Sequence, residues 1–356
     1  MESLQSTIKL VLILFFCLCT GADAQSTLAQ PVTIPLRLVM AGESERLSIP
    51  IRLGDSPMTG SYLFDTGSSP LVAAYVEGAP WWGTQFTPTD NSRVMHYVAT
   101  GFRFSTVQTR ITVGSGDRAV SSSPSFPVDQ ALSRMLKRGG LWVDDPKWAE
   151  SLQSAVRSGV PPEEGGRFYG TMGADLANPA VGLYRLATDV TTGSVGDVTA
   201  GYALEGGLAN SRLTIGLTLA IKKRFPILIP INRINGKFAQ KVITADFVLE
   251  YRGRTYPIGR AGVVLDTGAP RTSINTAEGF SVPPELVFGH LLRRGVALHM
   301  RCGSLSWTLV AGPGHRIAVG KASAPGGGVN SGIHFFDSYN VMFDIQNGNI
   351  GFAPVR

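Results

Sequence analysis

Apolar and polar residues alternate over residues 32–38 and 47–53, the period of half-buried strands. Asp55-Ser56-Pro57 to Gly60 forms a turn signal, and Tyr62-Leu63-Phe64 is a short apolar run beyond it. The order then repeats. Residues 242–251 read as a strand, Arg252-Gly253-Arg254 as a turn and residues 255–258 as the return of a hairpin. Gly262-Val263-Val264-Leu265 is again a short apolar run. Such a repeat of hairpin and apolar run marks an internal duplication. Further strands are predicted over residues 104–110, 111–114, 213–216, 226–231, 341–345 and 350–354.

The helical signal concentrates in residues 128–165. Residues 129–137 are expected to form one helix. Asp144-Asp145-Pro146 places a capping carboxylate before a first-turn proline, which opens a second helix through Arg157. Gly159 and Pro161-Pro162 end it. This stretch reads as a surface insertion. Trp81-Trp82, after Gly78-Ala79-Pro80, reads as a hydrophobic plug, or alternatively as a cleft wall.

Composition narrows the class. A chain of 356 residues with 42 glycines and little helical periodicity has room for two β-rich lobes. Lys9, the apolar run 10–19 and the small residues of Ala22-Asp23-Ala24 have the layout of a signal peptide, residues 1–24. The run is short for a membrane span. The expectation is export to the periplasm or the exterior, with no membrane attachment after cleavage. Cys17 and Cys19 would leave with that peptide, so Cys302 remains alone and no internal disulfide forms. Cys302 is expected to be a small buried residue. Loss of one lysine and two acids raises the formal charge from +6 to +7. The basic residues are dispersed, which argues for solubility and against a nucleic-acid partner. The five histidines, His96, His290, His299, His315 and His334, lack metal-ligand spacing, and no metal or cofactor is expected.

The chemistry lies where the two apolar runs end. Leu63-Phe64-Asp65-Thr66-Gly67-Ser68-Ser69 is echoed by Val264-Leu265-Asp266-Thr267-Gly268-Ala269-Pro270. An Asp closing a buried strand is costly unless it is used. Two of them, each followed by Thr and Gly, suggest two loops meeting at one site. Gly67 and Gly268 permit a sharp turn, and the hydroxyls of Thr66 and Thr267 can lock the loops together. Two carboxylates held close share one proton. One then activates a water and the other polarises a carbonyl.

These motifs resemble the pepsin-like aspartic proteases, and the resemblance spans essentially the whole mature chain. Tyr169-Gly170-Thr171-Met172-Gly173-Ala174-Asp175 is similar to the family's element that threads the first catalytic loop, with Asp175 as a turn or cap residue. Residues 331–336, 341–345 and 350–354 are similar to the family's terminus, with Gly332 in the matching place of the second lobe, although Asn330-Ser331 is more polar than the family pattern. Asp344 is expected to be structural. The resemblance implies an all-β, bilobal pepsin-like fold: two β-barrel-like lobes, residues 25–222 with flap and helical insertion and residues 223–356, with a cleft between them. It implies a monomer that binds an extended peptide or protein substrate and hydrolyses internal bonds, with Asp65 and Asp266 catalytic. Ser68 matches the family's hydroxyl donor to the first Asp. Tyr97 is the candidate flap tyrosine, although the tip after it departs from the family's. The lack of disulfides leans towards a bacterial-type member. Few residues separate Ala24 from the first strand, so no long inhibitory prosegment is expected. Ala269 stands where Ser68 stands in the first copy. That removes a donor to Asp266 and implies a less acidic optimum than that of gastric pepsin, as in retroviral-type enzymes.

Two rivals remain at this level. One is a catalytically inactive pepsin-like binding or inhibitor protein, favoured by the altered flap and by Ala269. The other is an exported binder of cell-wall glycans, suggested by Trp81-Trp82 and the positive charge.

Overall fold

Three large sheets organise the chain. The structure is a computed structural model, and it describes residues 28, 30–96, 100–163, 166–192, 197–322 and 327–356. The proposed signal peptide lies outside the described residues, as does Tyr97. No described helix is long and apolar enough to cross a membrane. Strands dominate, and the architecture is the bilobal all-β fold expected.

The amino-terminal half builds an eleven-stranded sheet. Its centre follows the predicted alternation. In Ser44–Leu53 the side chains of Leu47, Ile49, Ile51 and Leu53 all turn into the core. In Gly60–Asp65 the period of two buries Tyr62 and Phe64, which puts Ser61, Leu63 and Asp65 on the opposite face. Burial of the aromatic residues therefore aims the carboxylate outward. Gly170–Gly173 runs parallel to this strand, pairing Gly173 with Asp65, and antiparallel to Leu71–Ala74. It thereby threads the loop between them.

The helix expected over residues 129–137 is a strand instead. Phe126–Arg138 pairs with Thr100–Thr109 on one side, with Leu71–Ala74 in parallel on the other, and with Leu141–Asp144 at its far end. Thirteen residues of backbone are satisfied between partners that are distant in sequence, and this outweighs a weak local preference. A register shift between Ala131 and Ser133 absorbs the irregular spacing that resembled a helical period. Asp129, buried in this strand, is paired with Arg93 and accepts from Thr106 Oγ1 at 2.7 Å.

The second helix does form, over Pro146–Ser158. Asp145 Oδ1 caps it by accepting from the Lys147 N–H at 3.1 Å, and Gly159 ends it in the left-handed conformation. Its buried face carries Trp148, Leu152 and Ala155. Trp148 packs edge-on against Phe102 of the strand Thr100–Thr109, and the Arg134 guanidinium lies 5.3 Å over its ring while pairing with Asp145. The insertion thus braces the long hairpin made by Thr87–His96 and Thr100–Thr109.

The carboxy-terminal half repeats the plan with a nine-stranded sheet. Ile243–Tyr251 and Arg254–Val264 form the predicted hairpin, turning at Arg252 and Gly253, both with positive φ, as a two-residue hairpin loop requires. Gly328–Asn330 runs parallel to Arg254–Val264 and antiparallel to Thr272–Thr276, the counterpart of Gly170–Gly173.

A six-stranded sheet joins the halves. Thr199–Glu205 of the first half pairs with Tyr339–Asp344 of the second, placing Tyr202 opposite Phe343. Ile227–Pro230, in the segment predicted to cross between halves, pairs with Asn349–Pro354 at its edge. Asp344 is structural: buried, ion-paired with Lys222 at 2.8 Å and accepting from Asn347. Trp81 and Trp82 are buried, and both indole N–H groups donate to the Ala74 carbonyl. They are a plug, and no exposed aromatic platform exists there. Cys302 is only half-buried at the end of Ala297–Cys302, a correction to its expected full burial, because a strand end leaves one side of the thiol uncovered.

Candidate active site

Asp65 ends its strand and Asp266 follows Arg254–Val264 by two residues, so the duplicated topology delivers both to one point between the halves. The threonines lock that meeting. Thr66 Oγ1 donates to the Leu265 carbonyl at 2.8 Å and accepts from the Thr267 N–H at 3.0 Å. Thr267 Oγ1 donates to the Phe64 carbonyl at 2.7 Å and accepts from the Thr66 N–H at 3.1 Å. Both side chains are buried, with no water to compete for these bonds.

The glycines set how closely the loops approach. A Cβ on Gly67 would lie 2.4 Å from Cγ of Asp266, and one on Gly268 would lie 2.3 Å from Cγ of Asp65. Each glycine is therefore the floor beneath the opposite carboxylate, and no larger residue fits. Gln240 Nε2 adds a further bond across the halves, to the Gly67 carbonyl at 2.6 Å.

Each carboxyl lies against the glycine of the opposite loop, which brings the two acids together. Burial, and next the Asp266 charge, push Asp65 up to about 8, against the lowering effect of Ser68 and of the Gly67 N–H, which donates to Oδ1 at 2.8 Å. Asp65 keeps some surface open to the cleft even though protein crowds its carboxyl. Ser68 Oγ is buried close enough to lower Asp65, yet in this rotamer it completes no well-aligned hydrogen bond.

Around Asp266 the picture differs from the sequence expectation. Ala269 has no hydroxyl, but its N–H donates to Oδ1 at 2.9 Å, and the Asn330 amide donates to Oδ2 at 2.5 Å. The donor missing at Ala269 is thus replaced from a neighbouring strand. Sequence reasoning noted the polarity of Asn330 but not its role. Its signal was a polar residue next to buried Val329, on a strand whose alternate face must point at the site.

Asp175 acts as a brace for the first loop. Its N–H donates to the Ser68 carbonyl, and its carboxylate accepts from Ser69 Oγ at 2.5 Å and from the Ala177 N–H at 3.0 Å. Burial raises its pKa, the Ser69 and Ala177 bonds lower it, and the Asp266 charge adds a smaller raising effect. The hairpin of Thr87–His96 with Thr100–Thr109 is the one expected to serve as the flap, and its candidate tyrosine, Tyr97, lies outside the described residues.

No family model matches the chain, and no curated protein matches it in sequence. Among solved structures it is similar to an aspartic proteinase from Irpex lacteus, with a TM-score of 0.57 and 16% identity, over 92% of this chain and 98% of that one. At that identity the likeness carries the fold alone: the bilobal all-β fold of the pepsin-like aspartic proteinases.

Proposed function

We propose that the chain is an exported aspartic endopeptidase, with residues 1–24 as its signal peptide and residues 25–222 and 223–356 as its lobes. One observation carries the reading: two equivalent loops, locked by Thr66 and Thr267, seat Asp65 and Asp266 each against the other loop's glycine. A pair that shares one proton at working pH holds an acid and a base side by side. The base takes a proton from water as it attacks the peptide carbonyl, and the acid protonates the carbonyl oxygen. The resulting diol collapses with proton transfer to the leaving amine, which returns the pair to its starting state. Thr66, Gly67, Thr267 and Gly268 hold the geometry, and Ser68 tunes Asp65. The substrate is an extended peptide, gripped as an added strand, with Tyr97 as the candidate flap contact. No cofactor enters this chemistry, and the protein acts as a monomer.

The test is digestion of a denatured protein across pH about 3 to 7, by the wild type and by Asp65→Asn. Cleavage that vanishes in the variant and is blocked by a statine-type peptide establishes the dyad. A folded wild type that binds peptides but cleaves nothing at any pH makes the chain a pepsin-like binding protein instead.

A further inference from the structure

The two halves do not supply their carboxylates with donors in the same way. Leu63 and Val264 each stand two residues before their Asp, and they pair in register with Thr171 and Asn330 respectively. Thr171 and Asn330 are therefore equivalent positions of the duplicated plan. In the first half the hydroxyl beside the carboxyl is that of Ser68, three residues after the Asp and without an aligned bond to it, and no described hydrogen bond joins Thr171 to Asp65. In the second half that place is Ala269, and the donor comes from the equivalent of Thr171.

The Asn330 amide has one orientation open to it. Its Oδ1 accepts from the Gly332 N–H at 2.9 Å, so the end facing Asp266 is the NH₂ group. The segment behind it is pinned. The Ser331 N–H donates to the Val264 carbonyl at 2.9 Å, Thr272 Oγ1 donates to the Ser331 carbonyl at 2.6 Å, and Ser331 Oγ accepts from the Asp266 N–H at 3.3 Å. Val329, on the other face, is sunk in the core. Neither the strand nor the amide is free to turn.

That fixity has a chemical consequence. A hydroxyl rotates, donating to a carboxylate or accepting from a protonated carboxyl with equal ease, whereas an amide NH₂ only donates. Held against Oδ2, it favours the form of Asp266 in which that oxygen bears no proton. We infer that Asn330 is a positioning residue of the dyad, which fixes the plane of the Asp266 carboxylate and directs the shared proton to Asp65. The inference rests on the endopeptidase reading for its kinetic consequences but not for the proton's location.

Carboxyl-carbon NMR of aspartate-labelled wild-type protein tests it without turnover. In the wild type the carboxyl that keeps its proton near neutral pH is expected to be that of Asp65; a protonated shift on the other carboxyl instead overturns the inference even if the enzyme cleaves well. Kinetics supply the second arm. Asn330→Ala is expected to lower kcat about tenfold with KM held within about twofold. Its acid limb should move up by about one pH unit. Adding Ala269→Thr, which offers a hydroxyl from the other side, should return the limb most of the way. A lower kcat with an unmoved limb, or a limb that Ala269→Thr fails to return, overturns the inference. If the wild type cleaves nothing, the endopeptidase reading falls, and the carboxyl titration of the wild type still decides for or against Asn330.

Discussion

Thr66 and Thr267 each bury a hydroxyl in the opposite half of the molecule, and each accepts the other's backbone N–H. The exchange is reciprocal, so neither loop has its position without the other. Replacing Thr66 with Val leaves the Thr267 N–H and the Leu265 carbonyl unpaired in the interior. The expected cost is about 2 kcal/mol in urea unfolding. The double variant with Thr267→Val should cost clearly less than twice that, because the first change already breaks half of the bonds and frees the two loops that the others hold.

Gly67→Ala and Gly268→Ala are expected to fold, with lowered melting temperatures, and to lose about 100-fold in kcat. The added methyl must displace a carboxylate 2.3–2.4 Å away, and a shift on the order of 1 Å in the reacting groups has that effect. Peptide cleavage assays beside thermal melts separate the two consequences.

Stability should fall as the medium becomes more alkaline. Asp65 holds its proton more tightly in the folded chain than in the unfolded one, so its contribution is complete below pH about 4. It is lost as pH rises towards about 8. Asp175, also raised by burial, acts in the same direction. The melting temperature of the wild type should drop by about 5 °C or more between pH 4 and 8. Asp65→Asn should show a visibly flatter profile; an equally steep one would mean that the dyad is not the source.

Trp148→Ala removes the ring that joins the capped helix to Phe102 and Arg134. A loss of about 3 kcal/mol is expected. Hydrogen exchange should show the loss locally, as faster exchange in Thr100–Thr109 and in residues 133–138, while the strands around Asp266 keep their protection.

What the chain disclosed directly was whatever depends on neighbours in sequence. The capped helix at Asp145, the turn at Arg252-Gly253 and the duplicated run ending in Asp-Thr-Gly each carry their cause within a few residues. Phe126–Arg138 does not: its strand state comes from partners at Leu71–Ala74 and Thr100–Thr109, so local periodicity pointed to a helix. Asn330 stayed hidden for a related reason. Its polarity was visible, but its direction depends on a parallel pairing with Val264 from the far side of the lobe. The sequence contrasted Ser68 with Ala269, yet counting donors along the loop alone missed the one supplied from outside it.

The six-stranded sheet has a consequence for how the chain is made. Its order sets three strands of one half beside three of the other: strands from near residues 32, 212 and 199 are followed by Tyr339–Asp344, Asn349–Pro354 and Ile227–Pro230. Thr199–Glu205 therefore waits, one edge unpaired, until Tyr339–Asp344 has been synthesised. An exposed edge that must persist through the making of more than a hundred residues is an invitation to wrong pairing. The order of synthesis thus makes the pairing of Tyr339–Asp344 a late step of folding, and a nascent chain cut short before residue 339 would expose the middle of this sheet, where strands of the two halves should meet.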